Sequence, residues 1–306
     1  MRFCKSFLSF EEQVNLLVER GMTVDDPSSA RRILECLNYY RLEGYWIQFK
    51  LSGDESRFVE GTKFEDVLNL YIFDRELRLV LLDAIEKIEV TFRTQWAYHL
   101  AHAHGSHAHL DSCLFNPKYY SVNYEHLHAE VTRSREIFVK HHINKYQEPL
   151  PPLWVVCEVM SLGLLSRWYY SQKDSISKKA VASYFGLDVS MLCSWLKHLC
   201  EVRNLCAHHS RIWDRKFKDH PQKPKSGRKK YREIESSFHT STGLLYNSLV
   251  VILYLLESSK TMDSFSSSNF KESLMCLIQK HQVDISAMGF PEDWKTRSVW
   301  AKTFSK

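Results

Sequence analysis

An all-α fold is what this sequence predicts, and three features predict it. Apolar residues recur at helical spacing over a long stretch: Phe64, Val67, Leu68, Tyr71 and Ile72, then Leu77, Val80, Leu81, Ala84, Ile85, Ile88, Phe92, Trp96 and Leu100, with no helix breaker between them. Only 10 Gly and 8 Pro punctuate 306 residues, too few turn formers for a sandwich or barrel of many short strands. The apolar fraction of 44% is ordinary for a chain that buries a sizeable core as one large helical domain or two smaller ones.

Taken in order, residues 10–20 carry the apolar spacing of a helix, with Gly21 as its stop. The cluster Asp25-Asp26-Pro27-Ser28 supplies capping oxygens for a second helix running through Ala30 to residue 40. Residues 51–61 are polar and read as a small hairpin or an ordered turn. The stretch from Phe64 to Leu100 is one very long helix or two joined end to end, with Asp74, Arg75, Arg78, Asp83, Glu86, Lys87 and Glu89 on its solvated face. A loop with short helical pieces over residues 101–124 precedes a helix over 124–146. The string Glu148-Pro149-Leu150-Pro151-Pro152 ends that helix and sets up the next, 154–170. Helices over 175–184 and 190–208 follow, parted at Gly186. An exposed loop with Pro221, Pro224 and Gly227 then leads to an apolar helix over 241–256. Residues 264–268, Ser-Phe-Ser-Ser-Ser, read as a linker before a last helix at 270–282. The organisation expected is an N-terminal helical region (1–62), a helical core (63–257) and a C-terminal linker with its helix (258–306).

Several classes are excluded by composition. Residues 1–10 carry Arg2 and Lys5 but no apolar stretch of signal-peptide length and no cleavage site, so secretion is not expected. The most apolar run, residues 249–256, is eight residues long, against the about 20 that a membrane-spanning helix needs. The eight cysteines (Cys4, Cys36, Cys113, Cys157, Cys193, Cys200, Cys206, Cys276) show no paired CxxC spacing and read as reduced thiols packed as small hydrophobes in a cytoplasmic protein. His99, His102, His104, His107 and His109 crowd one stretch, but only Asp111 accompanies them, so no metal site is expected there. Charge is concentrated in one place. Residues 215–232 hold nine Lys or Arg against Asp219 alone, a net +8, whereas the whole chain is +5 and the remainder is therefore about −3.

The helix over 190–208 presents Leu192, Trp195, Leu196, Leu199, Val202 and Cys206 along one stripe. At about 100° per residue Arg203 falls inside that stripe, roughly 40° from the position of Leu199. Arginine cannot shed its charge. It needs an anionic or carbonyl partner there, such as Glu201 of a neighbour or a carboxylate on the long helix, or it faces a pocket or a subunit boundary.

The string Arg203-Asn204-Leu205-Cys206-Ala207-His208-His209 resembles the R-X4-H motif of HEPN domains in its RNxxAH version. Other segments resemble, in order and spacing, the AbiD and AbiF-like proteins of the Abi family of bacterial abortive-infection proteins. They are Asn38 through Trp46, Phe73 through Arg78, Ile88 through Arg93, Pro152 through Ser166, and Arg203 through Trp213. The resemblance covers roughly residues 37–217. It implies an HEPN-type multi-helix bundle with N-terminal and C-terminal helical additions, a defence role against phage, and RNA cleavage without metal or any other cofactor.

Under that resemblance His208 moves protons at the ribose 2′-hydroxyl and the leaving oxygen, since an imidazole ordinarily titrates near ~6.5. Arg203 neutralises charge on the phosphate through fixed bidentate donors, and Asn204 holds a phosphate oxygen or orients the histidine. Five positions on an ideal helix separate Arg203 from His208 by about 140°, so the two converge only where the helix ends near His208 or where two protomers pair. A homodimer with a composite cleft is expected, with the 190–208 helix at the boundary and the Arg203 stripe partly an interface. His209 and Arg211 are either a solvated helix end or RNA contacts, while Ile212 and Trp213 anchor the segment to the core. RNA phosphates are expected on Arg215, Lys216, Lys218, Arg228, Lys229 and Lys230, with Tyr231 available for stacking. Glu89 and Arg93, one turn apart, are expected to pair and brace the core. Two rival readings are a non-catalytic RNA-binding protein that holds a dedicated small non-coding RNA, and a structural helical domain in which Arg203 and His208 form an internal polar pair.

Overall fold

Ser9 opens the first helix, α1 (Phe10–Glu19): its hydroxyl accepts the Glu12 N–H while the Glu12 carboxylate takes the Ser9 N–H, a reciprocal capping box. The computed structural model describes residues 6–225, 227, 229–239, 243–259 and 267–301. Asp26 caps α2 (Pro27–Cys36), with proline at its first turn. The helix expected to run on to residue 40 stops instead at Leu37, which is extended, and Asn38 caps a separate α3 (Tyr39–Trp46) by accepting the Tyr40 N–H. A hairpin of β1 (Lys50–Leu51) and β2 (Asp54–Phe58) turns at Gly53, where φ is 91°.

The long apolar period forms one continuous helix of 41 residues, α4 (Phe64–His104). Two later stretches expected as single helices are each broken in two. The first becomes α5 (Pro117–Arg133) and α6 (Ile137–Lys145), interrupted at the extended Ser134. The second becomes α7 (Leu153–Val159) and α8 (Leu162–Ser171), because Met160 and Ser161 are extended and the Ser161 hydroxyl caps the Leu164 N–H. Then come α9 (Ser175–Tyr184), α10 (Val189–Ala207), α11 (Arg232–Ser237), α12 (Tyr246–Ser258), α13 (Ser267–His281) and α14 (Ser298–Ala301). Among the described residues these fourteen α-helices and one small hairpin make the fold all-α. Of the expected 264–268 linker, Ser267 and Ser268 are helical and the rest lies outside the described residues.

The chain divides into two compact units, one up to Leu77 with Cys276–Val283, the other Arg78–Met275 with the residues from Asp284 onward. In the first, α1 packs on α2, and Trp46, Phe58 and Phe64 are buried. Asp74 is fully buried there and accepts the Tyr45 hydroxyl at 2.6 Å. This corrects the expectation that it lies on a solvated face: a carboxylate is tolerated inside when a donor meets it. Arg78 of the second unit is buried as well, and its guanidinium donates to the Ser210 carbonyl at 3.4 Å. Arg75, Asp83 and Glu86 are exposed as expected.

Within the second unit α8 packs against both α5 and α10, and α10 also meets α9 and α12. Trp96, Trp168 and Trp195 are fully buried: Trp96 packs on Trp168, and Trp195 lies against Phe238 and Tyr254, while Phe92 meets Tyr169 and Phe185. The indole of Trp96 donates to the side-chain oxygen of Gln172 at 3.1 Å. None of the seven described cysteines is in a disulfide; Cys36, Cys113 and Cys276 are exposed, so the picture of thiols packed as hydrophobes holds only for the others. Among the described residues no helix is long and apolar enough to cross a membrane.

The histidine-rich stretch divides by burial. His104 meets Asp174 at 3.2 Å, whereas His109 is fully buried, with the Pro151 backbone nearby but no completed hydrogen bond at either ring nitrogen. Burial disfavours its cation and lowers its pKa to about 3. The folded state therefore holds this ring neutral while the unfolded chain protonates it below about 6.5, so stability is intact above that pH and falls as pH drops. A linkage of about 1.4 kcal/mol per pH unit gives a loss of roughly 2 kcal/mol between pH 7 and pH 5. His109→Leu is expected to remove that part of the acid limb. The difference between wild-type and variant unfolding free energies, taken from urea titrations at the two pH values, measures it.

Candidate functional site

Helix α10 carries the site, and its two sides do different work. Leu192, Trp195, Leu196, Leu199, Val202 and Cys206 face inward and are buried within the chain. Those six positions are thus filled by the protein's own core, while Arg203 in the same stripe is half-buried. Only Ser190, Lys197, Asn204 and Ala207 are exposed along α10, followed by His208 at its C-cap. On the helical wheel Lys197, Glu201, Asn204 and His208 follow at steps of four, three and four, so they form one stripe.

The end of the helix is built by its backbone. His209 has φ 57°, the left-handed conformation, and its N–H donates to the Cys206 carbonyl at 3.1 Å while the Ser210 N–H donates to the Leu205 carbonyl at 2.9 Å. This is a Schellman closure with histidine where glycine is usual. His208 and His209 are both exposed, and Ile212 and Trp213 are buried, anchoring the segment. Arg211 is half-buried, with Asp214 3.6 Å away, and its carbonyl accepts from Arg215.

The chain then folds back along α10. The carboxylate of Glu201 accepts the N–H groups of Lys218 and Asp219 at 3.0 and 2.9 Å. Next along, His198 Nδ1–H donates to the Asp219 carbonyl at 2.6 Å, and its Nε2 takes the Ser248 hydroxyl at 2.7 Å. That assignment follows because a carbonyl can only accept and because burial lowers the His198 pKa, keeping the ring neutral. Farther back, the Trp195 indole donates to the Gln222 carbonyl and the Gln222 N–H to the Ser194 hydroxyl, both at 2.9 Å. The first part of the basic segment is accordingly docked rather than a free loop.

A groove of about 490 Å³ opens between α8, the exposed stripe of α10 and this returning strip. Asn204 and His208 line it together, with Lys218 from the basic segment and Ser210 at its edge. Arg203 is not part of that lining. It is half-buried on another side of α10, its Nε 4.0 Å from a Glu89 oxygen and without a hydrogen bond. The carboxylate on the long helix is thus the neighbour Arg203 finds. Glu89 also takes Arg93 at 2.9 Å, and Arg93 reaches Glu158 at 3.3 Å and the Met160 carbonyl at 3.0 Å, bracing the α7–α8 junction. Burial holds the Glu89 carboxyl above the usual carboxylate range against the pull of Arg93 and Arg203.

The remaining basic residues separate. Lys216, Lys218 and Lys229 are exposed, Arg215 is half-buried, and Arg228 and the side chain of Lys230 lie outside the described residues. Tyr231 is buried, 1% exposed, and cannot serve as a stacking platform. This corrects its assignment: an aromatic ring ending a basic string is claimed by the core. Of the lining residues only Asn204, His208 and Lys218 were anticipated as site residues; among those that were not are Arg167 on α8 and Lys197 and Cys200 on α10. The spacing of Lys197 and Cys200 from Asn204 is readable as one helical face. Nothing in the sequence brings Arg167 to it. Among the described residues no group of three His, Cys, Asp or Glu could hold a metal ion.

Residues 32–214 match the family model described as Abi-like protein, a span that takes in α3 to α10 and, of the groove, all lining residues except Lys218 and Asp219. The chain matches no curated protein and no solved structure.

The left-handed His209 costs about 1 kcal/mol relative to glycine at such a position. His209→Gly is expected to raise the unfolding free energy by up to that amount, read as an increase in the urea midpoint at unchanged m-value.

Proposed function

The chain belongs to the Abi-like protein family, and on that premise we propose that it is an HEPN-type, metal-independent endoribonuclease acting as an abortive-infection effector against phage. The single observation that carries this reading is the placement of His208. Helix α10 stops beside it, and its exposed ring stands with Asn204 in a groove bordered by Lys197, Lys218 and Arg167. An exposed imidazole among cations suits a polyanion whose reaction needs proton transfer.

The reaction proposed is attack of the ribose 2′-oxygen on the adjacent phosphorus. The 2′-O–P bond forms, the P–O5′ bond breaks, and a 2′,3′-cyclic phosphate and a 5′-hydroxyl result. His208 takes the 2′-proton or returns one to the leaving 5′-oxygen, water handling the other. Asn204, 40° from His208 on the wheel, donates to a phosphate oxygen or fixes the ring. Arg203 neutralises phosphate charge from a second copy, since it is absent from the groove of its own chain; the assembly is a homodimer with the exposed end of α10 at its boundary. Lys216, Lys218 and Lys229, with His209, Arg211 and Arg215, lead the RNA toward the groove, and Arg228 and Lys230 belong to the same basic segment.

A second reading has one observation in its favour. The strip carrying the exposed lysines is docked to α10 by Glu201, His198 and Trp195, a fixed cationic surface able to hold a small structured RNA without cutting it.

Wild type incubated with labelled single-stranded RNA in EDTA is expected to cleave it, and His208→Ala to lower the rate by at least about 100-fold while still binding. RNA retained by both proteins with no cleavage by either sinks the nuclease and leaves the scaffold. A wild type that neither binds nor cleaves sinks both.

A further inference from the structure

The groove beside His208 has its own account of charge, and it singles out one residue. Its two acids are engaged. Glu201 spends its carboxylate on the backbone N–H groups of Lys218 and Asp219, and Asp219 holds the Lys197 ammonium at 2.6 Å. Lys197 is therefore largely neutralised by its neighbour, and the pair draws the returning strip against α10. Arg203 faces Glu89 outside the groove. Arg167 differs from both. It is exposed on α8, it lines the groove, and among the described residues it pairs with no carboxylate. Among the described residues its one hydrogen bond runs from Nε to the side-chain oxygen of Asn123 at 3.4 Å, and Asn123 is itself buried, its amide donating to the Ser171 hydroxyl.

That arrangement fixes the stem of the guanidinium and leaves its terminal nitrogens for a ligand. Both terminal nitrogens lie in the guanidinium plane and can grip two oxygens of one phosphate side by side, which an ammonium cannot do. We infer that Arg167 grips a backbone phosphate of the RNA next to His208, so that each chain supplies both a proton-moving group and a phosphate-holding cation to one groove. The inference rests on the ribonuclease reading and adds to it a residue outside the Arg203–His208 motif.

Binding is best measured on the His208→Ala background, where RNA survives, by titrating labelled single-stranded RNA at several salt concentrations. Arg167→Gln is expected to weaken binding about tenfold and to lower the slope of log affinity against log salt by about 0.7, the share of one phosphate contact on a single strand. Because the contact is to the backbone, the loss is the same for RNAs of different sequence. Arg167→Lys is expected to restore the slope, since charge returns, while single-turnover cleavage in the otherwise wild-type chain stays below wild type, since the bidentate grip does not. Because Arg167 also donates to the buried Asn123, the thermal midpoint of each variant is recorded to separate lost folding from lost binding; Arg167→Ala provides a second variant for the same titration.

An unchanged salt slope and affinity in both neutral variants, with wild type still cutting and His208→Ala inactive, overturns the role of Arg167 and leaves the nuclease standing. A wild type that neither binds nor cleaves overturns both.

Discussion

The stop of α10 at Ala207 is the constraint on which the site depends. A helix that continued would carry His208 and the residues after it around the axis, at 5.4 Å per turn, and the chain could not reverse there. The reversal is held by the left-handed His209, by Arg78 on the Ser210 carbonyl, and by Ile212 and Trp213 in the core. Only then can the strip from Phe217 to Gln222 run back along α10, its successive bonds reaching Glu201, then His198, then Trp195 and Ser194. Those pairings walk down the helix as the strip walks up in sequence, and this antiparallel run builds one groove wall. A left-handed non-glycine residue at such a point is a cost that the surrounding burial sustains.

What could be read from the sequence follows the range of the interactions involved. Helices α4, α9 and α10 were legible to within a residue or a few because a single unbroken period and local caps define them. The breaks at Leu37, Ser134 and Ser161 were not. A serine or asparagine that caps the next helix looks, in an amphipathic stretch, like one more polar position. Asp74 was misplaced for a related reason: a wheel registers its charge but not the Tyr45 hydroxyl 29 residues earlier that makes burial tolerable. The site was half legible. Its α10 face is a spacing, whereas Arg167 arrives from another helix and Tyr231 is removed by the core.

Electrostatically, the groove and the Glu89 cluster solve opposite problems. In the groove, carboxylates are consumed by backbone donors and by Lys197, so they fold the strip rather than repel an anion. At Glu89, a half-buried carboxylate sits between Arg93 and Arg203, and desolvation raises its pKa against their pull. The two guanidiniums around that carboxylate are not equivalent: Arg93 ties α4 to the turn between α7 and α8, whereas Arg203 on α10 only comes within 4.0 Å of Glu89, with no hydrogen bond from its Nε.

This difference decides what substitutions at the two motif residues can mean. Truncating Arg203 removes a charge beside a half-buried carboxylate, so any loss of activity mixes a disturbed α4–α10 contact with a missing phosphate donor. Truncating His208 disturbs little of that kind, because its ring is exposed and its backbone caps the helix through its own N–H to the Asn204 carbonyl, which alanine preserves. The arginine makes the motif recognisable, but the histidine is the residue whose loss speaks about chemistry. A phosphate-holding role for arginine in this fold is correspondingly cleaner to read at an exposed position on the groove wall than at one wedged between two helices.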